Sequence, residues 1–143
     1  MEMEKDVLDL TKERDAHIDG RLHRELMMWL CTVRPDGRPH LVPVWFHWDG
    51  ETILIFSQPN KQKLRNLQHN PNVVVALDTA GQGDDVVMIE GKAELLDDPR
   101  VSAALPAFAA KYKERLDLYG WSGESMSREY SQAIRITPTK FFR

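Results

Sequence analysis

The sequence predicts a mainly β fold with helices: a small antiparallel barrel of about six short strands with helical decoration. Short apolar runs (LCTV, HLVPVWF, TILIF, NVVVAL, VVMIEGKAEL) recur between turn signals such as Pro35-Asp36-Gly37 and Asp49-Gly50, which is the spacing of hairpin-linked strands. Gly91 sits inside the fifth run, where a closing barrel needs a bulge or tight bend. The last residues, AIRITPTKFFR, alternate Ile134 and Ile136 with Arg135 and Thr137, as a closing strand would. About six short strands with only a few helices mean a small barrel. The chain of 143 residues reads as one domain.

Taken in order, the first 17 residues read as an N-terminal extension with room to be mobile. From about Ile18 to Leu30, the residues Ile18, Leu22, Leu26 and Trp29 recur at helical spacing, which predicts an amphipathic helix. Three strands joined by tight turns follow, a β-meander. Asn60 or a neighbour is expected to cap a short helix that carries Leu64 and Leu67 inward, and Asn70-Pro71 to end it. The two strands NVVVALD and VVMIEGKAEL flank the glycine-rich AGQGDD. Asp98-Pro99 starts a helix with Val101, Leu105, Phe108, Tyr112 and Leu116 on one face, kinked at Pro106. A short polar helix is expected near Ser125 to Gln132.

Composition excludes several function classes. Apolar residues at 42% and charged residues at 29% are ordinary for a globular protein. A net charge of -3 and a pI near 5.9 argue against a general binder of nucleic acid or membrane surfaces. The single cysteine, Cys31, lies in the apolar run MMWLCTV and is expected to be buried and inert, as suits a reducing cytoplasm. The charged N-terminus lacks the apolar stretch of a signal peptide, and no apolar run approaches the ~20 residues of a membrane span. A cytoplasmic protein is expected. His40 and His47 are seven apart in extended chain, hence on opposite faces, and His17 and His23 are six apart on a helix. With no HExxH or CxxC pattern, no metal site is expected. The acidic pairs Asp84-Asp85 and Asp97-Asp98 adjoin turns or a helix start, where Asp belongs structurally. Ser57 lacks a GxSxG context, so a hydrolase is unsupported.

The stretch with chemistry in it is SQPNKQKLRNLQHNP, residues 57–71. Lys61, Lys63 and Arg65 fall on the first turns of the short helix, where free N–H groups and the dipole favour a phosphate. Ser57, at the end of the preceding strand, can add a hydroxyl donor. A solvated basic helix face and an anion site both remain open on these residues alone. A second feature precedes it. In HLVPVWFHW, Pro43 cannot donate to a sheet ladder, which marks a bulge or an edge strand. Alternation puts His40, Val42, Val44 and Phe46 on one face and Leu41, Pro43, Trp45 and His47 on the other. Such a strand could seat a flat heteroaromatic ring against its backbone amides, or Trp45 could simply pack in the barrel.

The order TVRPDGRPHLVPVWF, a strand ending in Ser57, KQKLRNLQHNP and VVMIEGKAEL resembles the split-barrel flavin reductase superfamily. This is the group around pyridoxamine 5'-phosphate oxidase and the deazaflavin (coenzyme F420)-dependent reductases. The resemblance covers roughly Leu22 to Leu96 and, more loosely, the closing strand. It implies a six-stranded antiparallel split barrel and a homodimer with cofactor sites at the interface. It further implies that Ser57 and Gln62-Lys63 hold the cofactor phosphate. Lys63 matches the more constant lysine, while Gln62 stands where pyridoxamine phosphate oxidases carry arginine, so Lys61 or Arg65 would supply charge. The ring would lie along Val42, Pro43, Val44 and Trp45. The wording PDGRPHLVPVWFHWDG is closer to the deazaflavin branch, so coenzyme F420 is the expected cofactor and FMN the alternative. The activity implied is hydride transfer between the cofactor ring and a small organic substrate, with no side chain as catalytic acid or base. Tyr119 and Trp121 are expected to border the substrate pocket. A function of another class, a flavin or haem carrier without turnover, fits the same barrel. A small nucleic-acid-binding barrel is disfavoured by the acidic charge.

Overall fold

The computed structural model describes residues 6–77, 82–97 and 105–143. Helix α1 (Glu13–Arg24) leads into strands β1 (Met28–Val33), β2 (Pro39–Val44), β3 (His47–Trp48) and β4 (Ile53–Ser57). Helix α2 (Gln62–His69) and strands β5 (Asn72–Leu77) and β6 (Val87–Leu96) follow. Helices α3 (Leu105–Lys111), α4 (Lys113–Leu118) and α5 (Gly123–Glu129) then precede β7 (Gln132–Phe142). The strands form one antiparallel sheet of order β2-β1-β5-β6-β7-β4-β3. Strands β2 and β3 are neighbours in sequence yet lie at opposite ends of that order. The sheet therefore curls until its ends meet across Trp45 and Phe46, giving a mainly antiparallel half-barrel with helices.

The strand count is seven rather than six because the run HLVPVWFHW divides. Its first half pairs with β1, Met28 opposite Val44, and its second half pairs with β4, His47 opposite Leu54. The expected meander is thus two hairpins joined by a two-residue break. Gly37 and Gly50 take positive φ in the two tight turns. The Asp49 carboxylate fastens the second turn by accepting from the Glu51 and Thr52 amides at 2.8 and 2.6 Å. Pro43 lies on an edge strand, as its missing donor requires. At Gly91 the register slips between Glu90 and Gly91. A Cβ there would come within 2.8 Å of both Ile136 Cγ2 and the Thr137 carbonyl oxygen, so the close strand approach demands glycine.

Three elements differ from expectation. The first helix ends at Arg24, and Met28 to Val33 is a strand in which Met28, Leu30 and Thr32 are buried while Trp29 is 41% exposed. Leu26 and Trp29 happen to fit a helical period, but MMWLCTV pairs on both sides, with β2 and β5, and that pairing decides its form. Cys31 on this strand is half-buried rather than enclosed. The helix expected from Asp98-Pro99 is interrupted at Tyr112 between α3 and α4; its start and Val101 lie outside the described residues. The last helix begins earlier than expected, because Ser122 and Ser125 form a reciprocal capping box. The segment read as an extension meets the barrel at Asp6, whose N–H donates to Pro138 O at 3.2 Å and whose carboxylate accepts from the Phe141 N–H at 3.3 Å.

Two apolar clusters result. The larger fills the barrel, with Leu30, Ile53, Ile55, Ile134 and Ile136 wholly buried beneath α1 and α2. The smaller, Phe108, Tyr112, Leu116 and Met126, belongs to the helical cap formed by α3, α4 and α5. No helix of the described residues is long and apolar enough to cross a membrane.

Candidate functional site

Where β2 hands over to β3, the backbone of Phe46 leaves the sheet ladder and needs other partners. The cap supplies them. The buried Tyr112 hydroxyl accepts from the Phe46 N–H at 2.8 Å and donates to Leu26 O at 2.7 Å. Lys111 Nζ donates to Phe46 O at 3.0 Å and lies 3.7 Å from the centre of the Phe46 ring. Burial, which outweighs the opposing charge of Glu25, lowers the Lys111 ammonium to a pKa of about 8. Burial likewise pushes the Tyr112 phenol upward. The junction of α3 and α4 is thereby stitched to the strand break through two adjacent side chains. Tyr112 also stacks flat on Trp45, centroids 4.4 Å apart and planes within 4°.

Between the break and the cap lies a cavity of about 530 Å³, a volume suited to a ring-bearing small molecule. Pro43, Val44 and Trp45 form its strand wall, and Phe108, Leu116 and Met126 its cap wall. Lys63 stands at its α2 side, and Tyr119 and Trp121 line it from the loop after α4. Tyr119 is exposed at 59%, whereas Trp121 leans on Tyr130 with centroids 6.1 Å apart. Trp45 therefore packs on Tyr112 of the cap rather than inside the barrel, and it also faces the cavity.

Of the residues singled out in the sequence, Pro43, Val44, Trp45, Lys63, Tyr119 and Trp121 meet at this cavity. Val42, Ser57, Lys61, Gln62 and Arg65 do not line it. Ser57 is buried and its hydroxyl donates to Gln58 O at 2.8 Å. Lys61 is the exposed N-cap residue of α2, which has no side-chain cap; Asn60 instead takes a positive φ of 62°. Gln62 donates to Asn66 at 2.8 Å and accepts from Arg65 at 2.8 Å, and Arg65 also reaches Asn60 O at 3.0 Å. Lys63 differs from these: it is half-buried, has no hydrogen bond or ion pair among the described residues, and is held below its ordinary pKa by burial and by Lys61. Sequence reasoning missed Lys111. Phe108, Tyr112 and Leu116 were legible as one helix face, but that face packs against the break and cavity instead of the barrel core. Among the described residues no group of three His, Cys, Asp or Glu gathers as a metal site; His17 instead lies 2.9 Å from Asp85, which also pairs with Arg21 and Arg143.

Residues 15–143 match the family described as pyridoxamine 5'-phosphate oxidase. The chain belongs to that family. Among solved structures it is similar to an F420 reductase at 28% identity, over 87% of this chain and 94% of that one, with a TM-score of 0.69. A putative pyridoxamine 5'-phosphate oxidase from Listeria innocua is 23% identical over 91% and 97% of the two chains, TM-score 0.71. The haem storage protein HutZ from Vibrio cholerae is 18% identical over 91% and 92%, TM-score 0.68. The last two likenesses speak to the fold alone. The pyridoxamine 5'-phosphate oxidase fold is thus shared by proteins that do different things, and the residues at the cavity must carry the functional reading.

Proposed function

We propose that the protein is an oxidoreductase that transfers hydride between a bound deazaflavin, coenzyme F420, and a small organic substrate. The observation that carries this reading is the cavity at the strand break, walled by Pro43, Val44 and Trp45 and bordered by the unpartnered cation Lys63. Its residues fit a planar group with an anionic arm. The edge strand β2 has only β1 as neighbour, so alternate backbone N–H and C=O groups face outward and can meet ring heteroatoms. Lys63 loses hydration to burial without gaining a counter-ion, and a phosphate would restore the balance. Ser57, Lys61, Gln62 and Arg65 act at one remove in this reading: Gln62 and Arg65 fix the first turn of α2, from which Lys63 projects. When bound, such a cofactor supplies the hydride chemistry at its ring. The chain's own share is to orient the ring along β2, to exclude water with Phe108, Leu116 and Met126, and to admit substrate past Tyr119 and Trp121. The 28% identity to an F420 reductase favours the deazaflavin over FMN.

The protein acts as a homodimer in this proposal. Trp29 and Leu41 are 41% and 59% exposed on the outer face of the β1–β2 hairpin, and Trp29 lies opposite Pro43 in the ladder. An apolar face of this kind beside the cavity is what a second copy would cover. The proposed setting is the cytoplasm.

Parallel titrations with coenzyme F420 and FMN, followed by ring fluorescence, test the assignment. Tight F420 binding with weak FMN binding, followed by stoichiometric oxidation of reduced F420 by a quinone or nitroaromatic acceptor, is the expected result. FMN preference would move the protein to the flavin branch. Binding without turnover would make it a carrier, and binding of neither would end the proposal.

A further inference from the structure

Lys111 and Tyr112 grip the strand break from one side and the end of α1 from the other. Lys111 Nζ donates to Phe46 O at 3.0 Å and to Leu22 O at 3.5 Å. Leu22 lies in the last turn of α1, whose carbonyls have no partner further along the helix and form its negative end. The Tyr112 hydroxyl joins Phe46 to Leu26, just beyond that helix. Met27, the next residue, and Trp45, the residue before Phe46, both line the cavity. The two side chains thus hold the ends of two cavity walls from behind. Glu25, at the C-cap of α1, is the carboxylate whose charge favours the Lys111 ammonium. It also pairs at 2.8 Å with the buried Arg21, which reaches Asp85 at 2.9 Å. From β3, His47 faces Lys111: burial holds its imidazole below the ordinary range, Asp49 opposes this, and Lys111 and His23 add to it. His23 itself lies 3.5 Å from Asp19. Lys111 therefore changes charge near pH 8, where His47 is neutral and the raised phenol of Tyr112 keeps its proton. A neutral amine still donates N–H bonds, but it loses the charge that roughly doubles their strength. It also loses the attraction of the Phe46 ring, whose centre is 3.7 Å away.

We propose that Lys111 is a charge-operated latch on the cavity, with Glu25 setting its balance. The ammonium clamps Phe46 to the end of α1 and holds the Val44–Trp45 wall in place for a ligand; the neutral amine lets that wall slacken. The latch rests on the cofactor reading only for what occupies the cavity. It sets two effects of one proton against each other. Burial opposes the ammonium, so the fold as a whole gains when the proton leaves. The break loses its clamp at the same step. Rising pH therefore stabilises the protein globally while it loosens the cavity wall, a split that a merely structural lysine would not produce. Lys113, two residues on, is exposed and paired with Asp117 at 2.9 Å, and serves as the contrast.

Amide hydrogen exchange on the full-length protein without ligand gives the test, each rate being corrected for the intrinsic pH dependence of exchange. Between about pH 7 and about pH 9.5, the Phe46 N–H should lose about tenfold in protection, the scale of one charge-assisted contact. Val75, in the interior strand β5, should lose none. In Lys111→Met the Phe46 protection should be low already at the lower pH and stay flat. In Lys111→Arg, which keeps its charge throughout, it should stay high. Glu25→Gln should move the fall to lower pH, and Asp117→Asn should leave it where it is. Coenzyme F420 affinity is then compared between wild type and Lys111→Met at each pH, so that titration of the ligand and of Lys63 cancels. The wild type should bind about tenfold more tightly at the lower pH and equally at the higher one. Phe46 protection that ignores pH, or that falls equally in Lys111→Met, overturns the latch and leaves the cofactor reading intact. A fall in protection with no matching change in the affinity ratio overturns the link from break to cavity. The expected Phe46 behaviour in a protein that binds neither coenzyme F420 nor FMN leaves the latch standing and removes the cofactor reading.

Discussion

The barrel and its helical cap solve the same problem, satisfying a buried backbone, by different means. In the barrel every interior strand has neighbours on both sides, and Ile53, Ile55, Ile134 and Ile136 fill the space between at zero exposure. At the Trp45–Phe46 break the ladder stops, and single side chains replace it: Tyr112 for the Phe46 N–H, Lys111 for its carbonyl. The barrel therefore rests on closely packed apolar contacts, each costly to empty, whereas the cap depends on a few polar ones. The cavity opens on the second region. A strand edge released from pairing is what leaves backbone and space available to a ligand, and the stitching keeps that edge rigid.

Breaking the barrel side should cost most. Ile136→Ala, which empties a wholly buried position facing Gly91, is expected to destabilise by about 2–5 kcal/mol in urea unfolding. Tyr112→Phe keeps the ring on Trp45 but strips the Phe46 N–H of its acceptor, and should cost about 1–3 kcal/mol. It should also loosen cofactor binding, which Ile136→Ala should affect little once folded. A subtler difference appears with pH. An unfolded lysine keeps its proton to about 10.5, while folded Lys111 releases it near 8. The unfolded state therefore binds more protons between those values, and stability should rise with pH across that window, on the order of 1–2 kcal/mol after solvent screening. Above about 10 the raised phenol of Tyr112 reverses the trend. Lys111→Met should flatten the rise; an unaltered rise would show that another group titrates. Smallest of all, Arg65→Ala should change stability by less than about 0.5 kcal/mol, since its exposed guanidinium only closes the first turn of α2.

Much of the barrel was legible because its signals are local. Alternation, Asp49-Gly50, Pro35-Asp36-Gly37 and Gly91 each mark a strand, turn or bulge within a few residues. The first helix was drawn too long because Leu26 and Trp29 satisfy a helical period, while the strand partners of Trp29, Pro43 and Ala76, are distant in sequence. The division of HLVPVWFHW was not legible for a similar reason: nothing in the run itself says that its halves pair with different strands. At the site, Pro43, Val44, Trp45 and Lys63 could be picked out from the edge proline and the cation run. The difference between Lys63 and its neighbours could not, because it depends on Gln62 bonding to Asn66 and Arg65 in three dimensions. Lys111 was hidden for the same physical reason: its character comes from what surrounds it, a carbonyl and a ring.

The most direct test of the central claim, that the cavity at the strand break holds a phosphate-bearing cofactor beside Lys63, is coenzyme F420 binding to the wild-type protein and to Lys63→Ala, measured by ring fluorescence at constant ionic strength. Removal of the unpartnered cation should weaken binding by about 1–3 kcal/mol, with the unfolding midpoint little changed. Equal affinity in the two proteins would contradict the account and return Lys63 to the surface of a helix.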